Sequence, residues 1–139
     1  MEGKYTKYFA YGSNMSLRAL EKMGVRYRNV QAALLQDYIL VFNVPDELEK
    51  EFAFASVLPC KNNTLKGLVM EVEEESVKIL DDYEAFPHDY LKEIVCVETL
   101  QGEKTDCFMY VGNPAITKEN LKPWPQHLKI IEEVYSEYF

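Results

Sequence analysis

The sequence predicts an α+β fold: a small β-barrel with helices packed outside it. Three observations carry this expectation. Strand-like apolar runs recur between turn signals, and most are placed to pair antiparallel. Helical patterns are inserted between strands instead of alternating regularly with them. The number of strands is the number a small closed sheet needs. The 139 residues, 47% hydrophobic and 27% charged, suit one soluble domain with one core over residues 1–139.

The first unit is a strand over about residues 5–11, a turn at Tyr11-Gly12-Ser13-Asn14, and a helix ending near Met23. Asn14 or Ser16 can cap the start of that helix, and Gly24 suits the position after its end. Residues 30–42 are rich in aliphatics and aromatics and read as a strand with a break or bulge at Gln36-Asp37. Asn43-Val44-Pro45-Asp46 reads as a turn, and the charged stretch Glu47-Leu48-Glu49-Lys50-Glu51 as a solvated loop. A strand is expected over 52–58, a turn over 59–63, and another strand over 64–72. Residues 76–84 form a short helix opened by Glu73-Glu74-Glu75, whose charges suit a helix N-terminus. Residues 90–100 and 104–111 form a hairpin across Gln101-Gly102-Glu103. After Pro123-Trp124-Pro125, residues 126–138 are helical, with Leu128, Ile131, Val134, Tyr135 and Tyr138 as an apolar stripe.

Charge narrows the range of partners. Lys+Arg 15 against Asp+Glu 23 gives a net charge of -8. Nucleic acid and anionic membrane both call for a basic surface, so neither is expected as a partner. No run is long enough to span a membrane, and the first residues carry no apolar leader. Cys60, Cys96 and Cys107 are odd in number, lack metal-type spacing and sit in apolar runs. They read as buried free thiols, which fits a cytoplasmic protein.

Two segments carry chemistry. A strand, a tight turn and a helix start at Tyr11-Gly12-Ser13-Asn14 gather backbone N–H groups that can hold a carboxylate, a phosphate or an oxyanion. The second segment is Leu80-Asp81-Asp82-Tyr83-Glu84-Ala85-Phe86-Pro87. Val77, Leu80 and Glu84 share one helix face, so a core-facing Leu80 turns Glu84 inward among Tyr83, Phe86 and Tyr90. Burial and the negative end of the helix both raise the pKa of such a carboxyl, which suits general acid/base work. On the residues alone, a solvent-exposed Glu84 that merely ends the helix is the simpler reading.

Other chemistries have less support. Asp81, Asp82, Glu84, His88 and Asp89 lack the spacing of a metal motif and read as a solvated acidic turn. Ser13 lacks the second glycine of a nucleophile elbow. A glycosidase needs a second convergent carboxylate, and none is evident. Most tyrosines read as core or rim. Tyr90 and Tyr110 are the two that strand placement brings near Glu84.

Together these segments resemble the γ-glutamylcyclotransferase-like (AIG2-like) family. The resemblance rests on Tyr8-Phe9-Ala10-Tyr11-Gly12-Ser13-Asn14-Met15, on the strands at Phe52-Ala53-Phe54-Ala55 and Lys66-Gly67-Leu68-Val69, on the Leu80-Asp81-Asp82-Tyr83-Glu84 block followed by Tyr90, and on Cys107-Phe108-Met109-Tyr110-Val111. It runs through nearly the whole chain. It departs at Ala85, where the family has glycine, and at His127, where some members place a pocket tyrosine.

The resemblance implies a mixed β-barrel with flanking helices and a cavity in which the turn faces Glu84. It implies intramolecular aminolysis of a γ-glutamyl amine or amino acid, releasing 5-oxoproline and the free amine. Glu84 would be the catalytic acid/base, and Tyr11, Gly12, Ser13, Asn14, Tyr90 and Tyr110 would bind substrate. No metal and no cofactor are implied. Two alternatives stay open: a non-catalytic barrel that binds a small carboxylate, and a cyclotransferase acting on a γ-glutamyl-acylated biosynthetic intermediate. The leaving amine and the choice between monomer and homodimer also stay open.

Overall fold

A computed structural model of the chain describes residues 3–139. Its elements are β1 (Tyr5–Ala10), α1 (Leu17–Met23), β2 (Tyr27–Pro45), β3 (Phe52–Glu73), α2 (Glu74–Tyr83), β4 (Tyr90–Thr99), β5 (Lys104–Gly112), β6 (Lys122–Pro123) and α3 (Pro125–Tyr138). A single 3₁₀ turn, Ser13–Met15, lies between β1 and α1. The sheet runs β1-β5-β4-β2-β3-β6, and an additional β1–β3 pairing closes five of the strands into a barrel. The sheet is mixed: β1 is parallel to β5, with Tyr8 opposite Phe108, while β1 and β3 are antiparallel from Tyr5↔Glu73 to Ala10↔Leu68. Closure removes the free edges that an open sheet would present.

The expected turn at residues 59–63 is corrected. β3 passes straight through it, paired with β2 on both sides, with Pro59 opposite Tyr38 and Thr64 opposite Gln36. The register shifts between Gln36 and Tyr38. Asp37 and Asn62 sit in the left-handed region (φ 67° and 66°), and the Asn62 N–H donates to Asp37 Oδ1 at 3.0 Å. The turn-forming residues therefore build a bulge in which both strands bend together, of the kind that lets a long hairpin curve around a barrel. The hairpin itself reverses over the loop between Pro45 and Phe52. There Asp46 Oδ1 accepts the N–H groups of Leu48 and Glu49.

Alternation along β1 divides the core. Phe9 and Tyr11 join Leu35, Val57, Leu65, Val97 and Met109, strand residues that fill the barrel. Tyr8 and Ala10 join Met70 and Val72, on which Leu20 of α1, Leu80 of α2 and Ile131 and Val134 of α3 pack from outside. Gly67 lets β3 approach β1: a Cβ there would lie 2.5 Å from Phe9 Cζ and 2.6 Å from the Ala10 carbonyl oxygen.

The cysteine expectation holds only in part. All three are free, but Cys107 is buried, Cys60 half-buried and Cys96 exposed. Cys96 lies opposite Asp106 on the outward face of the β4–β5 hairpin, and Cys107 lies opposite Val95 on the other face. An apolar run in a barrel strand still sends alternate side chains to solvent. Among the described residues no helix is long and apolar enough to cross a membrane.

Candidate active site at the barrel mouth

Gly12 lies directly against β3: a Cβ there would come within 3.1 Å of the Ala55 Cβ. The chain then makes one 3₁₀ turn, in which Met15 N–H donates to Gly12 O and Ser16 N–H to Ser13 O, both at 3.0 Å. α1 starts only at Leu17. Its cap is Ser16, whose Oγ accepts the Ala19 N–H at 3.2 Å. The amides at Gly12–Asn14 thus belong to this turn, not to the first turn of the helix as the sequence suggested. Asn14 is free of capping work. It is buried, and its side chain points across to α2.

α2 reaches the same place from the other side. Leu80 is fully buried, and Ser76 is pinned where its Oγ accepts the Arg26 N–H at 2.9 Å. Glu84 follows the last turn as the C-terminal cap, its N–H donating to Leu80 O at 2.9 Å. The Asn14 amide donates through Nδ2 to Glu84 Oε1 at 2.6 Å and to the Tyr8 hydroxyl at 3.1 Å. Burial pushes the Glu84 carboxyl up from 4.5 to about 7, against the opposing pull of the Asn14 hydrogen bond. An inward-facing, desolvated carboxyl stabilised by one neutral donor is expected to titrate in that range.

These groups line a cavity of about 190 Å³ at the end of the barrel. Each of the sequence-predicted residues Tyr11, Gly12, Ser13, Asn14, Glu84, Tyr90 and Tyr110 lies in its wall. Three of the tyrosines have already committed their protons. Tyr11 donates to the Tyr110 carbonyl, Tyr90 to the Ala55 carbonyl at 2.6 Å, and Tyr110 to Asp81 Oδ1 at 2.6 Å. They offer ring surface and a hydroxyl oxygen that can accept. Burial raises the pKa of all three, with the neighbouring carboxylates adding to the effect, so they remain neutral.

Six further wall residues, Tyr8, Phe54, Ala55, Tyr83, Asp89 and His127, were not among the predicted site residues. Period-two alternation places Tyr8 on the opposite face from Tyr11, which hid it. Yet its hydroxyl accepts from Asn14, and among the described residues nothing takes its proton. Asp81 and Asp89, read from the sequence as solvated, are corrected to partly buried. Asp81 receives Lys92 Nζ at 2.8 Å as well as Tyr110. Asp89 Oδ1 lies 2.6 Å from His88 Nδ1, and its backbone is tied to Ala85 and Asn113. A turn whose backbone is bonded at both ends draws its acidic side chains against the fold instead of releasing them to water. His127, near the start of α3, also reaches the cavity beside Phe54, and burial lowers its pKa, which keeps the ring neutral. Among the described residues no cluster of three His, Cys, Asp or Glu side chains is arranged to hold a metal.

Residues 8–130 match the family described as gamma-glutamyl cyclotransferase, AIG2-like. The chain belongs to that family. It is 26% identical to the gamma-glutamylcyclotransferase of Bos taurus over 134 residues, which span 94% of this chain and 70% of the bovine one. A solved gamma-glutamyl cyclotransferase superposes with a TM-score of 0.81 over 97% of this chain and 80% of its own, at 23% identity. A yeast gamma-glutamyl cyclotransferase specific to glutathione superposes with a TM-score of 0.72 over 98% of this chain and 88% of its own, at 11% identity. At these identities the two structures speak for the fold alone. That fold is a mixed five-stranded barrel with three helices, in keeping with the small mixed barrel and flanking helices expected from the sequence.

Proposed function

We propose that the protein is a γ-glutamyl cyclotransferase in which Glu84 moves the protons. The observation that carries this reading is the position of Glu84: in the cavity wall, its Oε1 2.6 Å from Asn14 Nδ2, its pKa raised by burial to about 7. A base of that strength is matched to proton transfer near neutral pH.

In the proposed reaction the Glu84 carboxylate takes a proton from the α-ammonium of a γ-glutamyl amide. The freed amine attacks the γ-carbonyl carbon, and a five-membered ring closes. The negative charge that develops on the carbonyl oxygen meets the N–H groups of the Gly12–Asn14 turn and the uncommitted Tyr8 proton. As the bond to the leaving nitrogen breaks, protonated Glu84 returns its proton to that nitrogen. The carboxylate so regenerated takes the second proton from the ring nitrogen and passes it to the departing amine, which leaves as an ammonium. The products are 5-oxoproline and the free amine. The reaction is intramolecular, so holding the substrate folded supplies much of the acceleration. The aromatic walls of Tyr11, Tyr90 and Tyr110, their protons held elsewhere, suit that confining role.

The experiment is a panel of γ-glutamyl amides and γ-glutamyl amino acids, assayed for 5-oxoproline and free amine. Equimolar release of both supports the reading. Tight binding of the panel without release assigns the cavity to recognition alone.

A further inference from the structure

Glu84 sits in a short segment that leaves α2 and turns back toward β4, and one side chain holds that segment at both ends. Lys92 on β4 stands opposite Tyr110 on β5 in the strand register. Its Nζ lies 2.8 Å from Asp81 Oδ1, and the Tyr110 hydroxyl donates to the same oxygen at 2.6 Å. On the far side of Glu84, the Phe86 ring centroid lies 4.5 Å from the same Nζ, with Phe108 at 5.5 Å and Tyr110 at 5.7 Å. An ammonium is attracted to ring faces at such distances. The backbone between the two contacts is closed on itself: Phe86 N–H donates to Asp81 O and Glu84 N–H to Leu80 O, both at 2.9 Å. Burial does little to anchor the segment, because Asp82, Tyr83, Ala85 and Phe86 are all exposed. The Asn14 bond fixes the Glu84 carboxyl but not the backbone that carries it. Lys92 is outside the cavity wall, so its charge acts on the segment and not on substrate.

We propose that Lys92 is a positioning residue for Glu84: its ammonium ties both ends of the 81–86 segment to the β4–β5 hairpin, which keeps the carboxyl between them in place in the cavity. A misplacement of about 1 Å at a reacting group is enough to cost roughly 10²-fold in rate. The kinetic half of this proposal rests on the cyclotransferase reading, whereas the tether itself does not.

Two measurements on Lys92→Met and Lys92→Arg test it, with Arg28→Met as the matched control. Arg28 makes an ion pair of the same length to Glu71, 2.8 Å, and lies 3.7 Å over the Tyr5 ring, outside the cavity wall. The first measurement is amide hydrogen exchange resolved at Glu84, Ala85 and Phe86. In Lys92→Met these amides should exchange roughly fivefold to twentyfold faster, the combined effect of one partly exposed ion pair and one cation–ring contact. Arg28→Met should leave them unchanged. The second is steady-state kinetics on a γ-glutamyl amide that the unmodified protein turns over. Lys92→Met should lower kcat by roughly tenfold to hundredfold with KM within about twofold, Lys92→Arg should recover most of that loss, and Arg28→Met should keep the original kcat. Unchanged exchange at the three amides in Lys92→Met overturns the proposal. So does an unchanged kcat, or a rise confined to KM, which would place Lys92 on the substrate. Equal losses of kcat in Lys92→Met and Arg28→Met also overturn it, because general destabilisation would then account for both. If Lys92→Met does not fold, Phe86→Leu removes the ring contact alone, and faster exchange with lower kcat in that variant supports the tether, while no change in either overturns it. If no γ-glutamyl amide is turned over by the unmodified protein, the cyclotransferase reading fails separately and the exchange rates still decide the tether.

Discussion

Replacing Glu84 with glutamine should make the protein more stable at alkaline pH while removing its proposed chemistry. A rise in the folded-state pKa from 4.5 to about 7 corresponds, at about 1.4 kcal/mol per unit, to about 3 kcal/mol. The sign follows from proton linkage. Between these two values the folded protein holds a proton that the unfolded chain has lost, so stability falls as pH rises through the window. Above about 7 the full cost of the buried anion is present, and below about 4.5 none of it is. Glutamine never ionises, and its Oε1 can still accept from Asn14. The stability difference between Glu84→Gln and the unmodified protein should therefore grow by roughly 2 to 3 kcal/mol between pH 5 and pH 8.5. Urea unfolding at a series of pH values reads this directly. A difference that stays flat across the range, or a variant less stable at pH 8.5, would refute the argument that burial governs this carboxyl.

Removing the uncommitted hydroxyl with Tyr8→Phe should lower kcat by roughly 10²-fold, with a smaller change in KM, if that proton meets the developing oxyanion; steady-state kinetics on the best γ-glutamyl amide checks it. Gly67→Ala should destabilise the barrel by about 1–3 kcal/mol, because its Cβ would land 2.5 Å from the Phe9 ring and 2.6 Å from backbone; the urea midpoint should fall accordingly. Ala85→Gly should stabilise by about 0.5–1 kcal/mol, because Ala85 holds φ 48°, a conformation costly for any residue with a Cβ; thermal unfolding reads the gain. Asn14→Ala removes the donor that opposes the rise at Glu84, so the acidic limb of the pH–rate profile should move to higher pH.

The sequence made the barrel and its two chemical segments legible through local signals. Period-two patterning marked the strands, Gly24 and Ser16 bounded α1, and the Val77–Leu80–Glu84 face turned the glutamate inward. What it hid depended on partners distant in the chain. Pro59 and Asn62 look like a reversal until Asp37 from the neighbouring strand is seen to bulge at the same level. Asp81 and Asp89 look solvated until Lys92, Tyr110 and Asn113 come alongside. Tyr8 shares no strand face with Tyr11, and it enters the site only because Asn14 folds back onto it six residues later. The helix N-terminus that first suggested an anion pocket begins at Leu17, beyond the site. The turn before it and the Asn14 side chain occupy the cavity wall instead.

The central claim is that Glu84 transfers the proton in ring closure. It is tested most directly by the pH dependence of 5-oxoproline release, measured on the unmodified protein and on Glu84→Gln with the same γ-glutamyl amide. The account predicts an acidic limb in kcat/KM near pH 7, matching the raised pKa, and a loss of roughly 10²-fold to 10⁴-fold in the variant at every pH. Turnover by Glu84→Gln at the rate of the unmodified protein would contradict it.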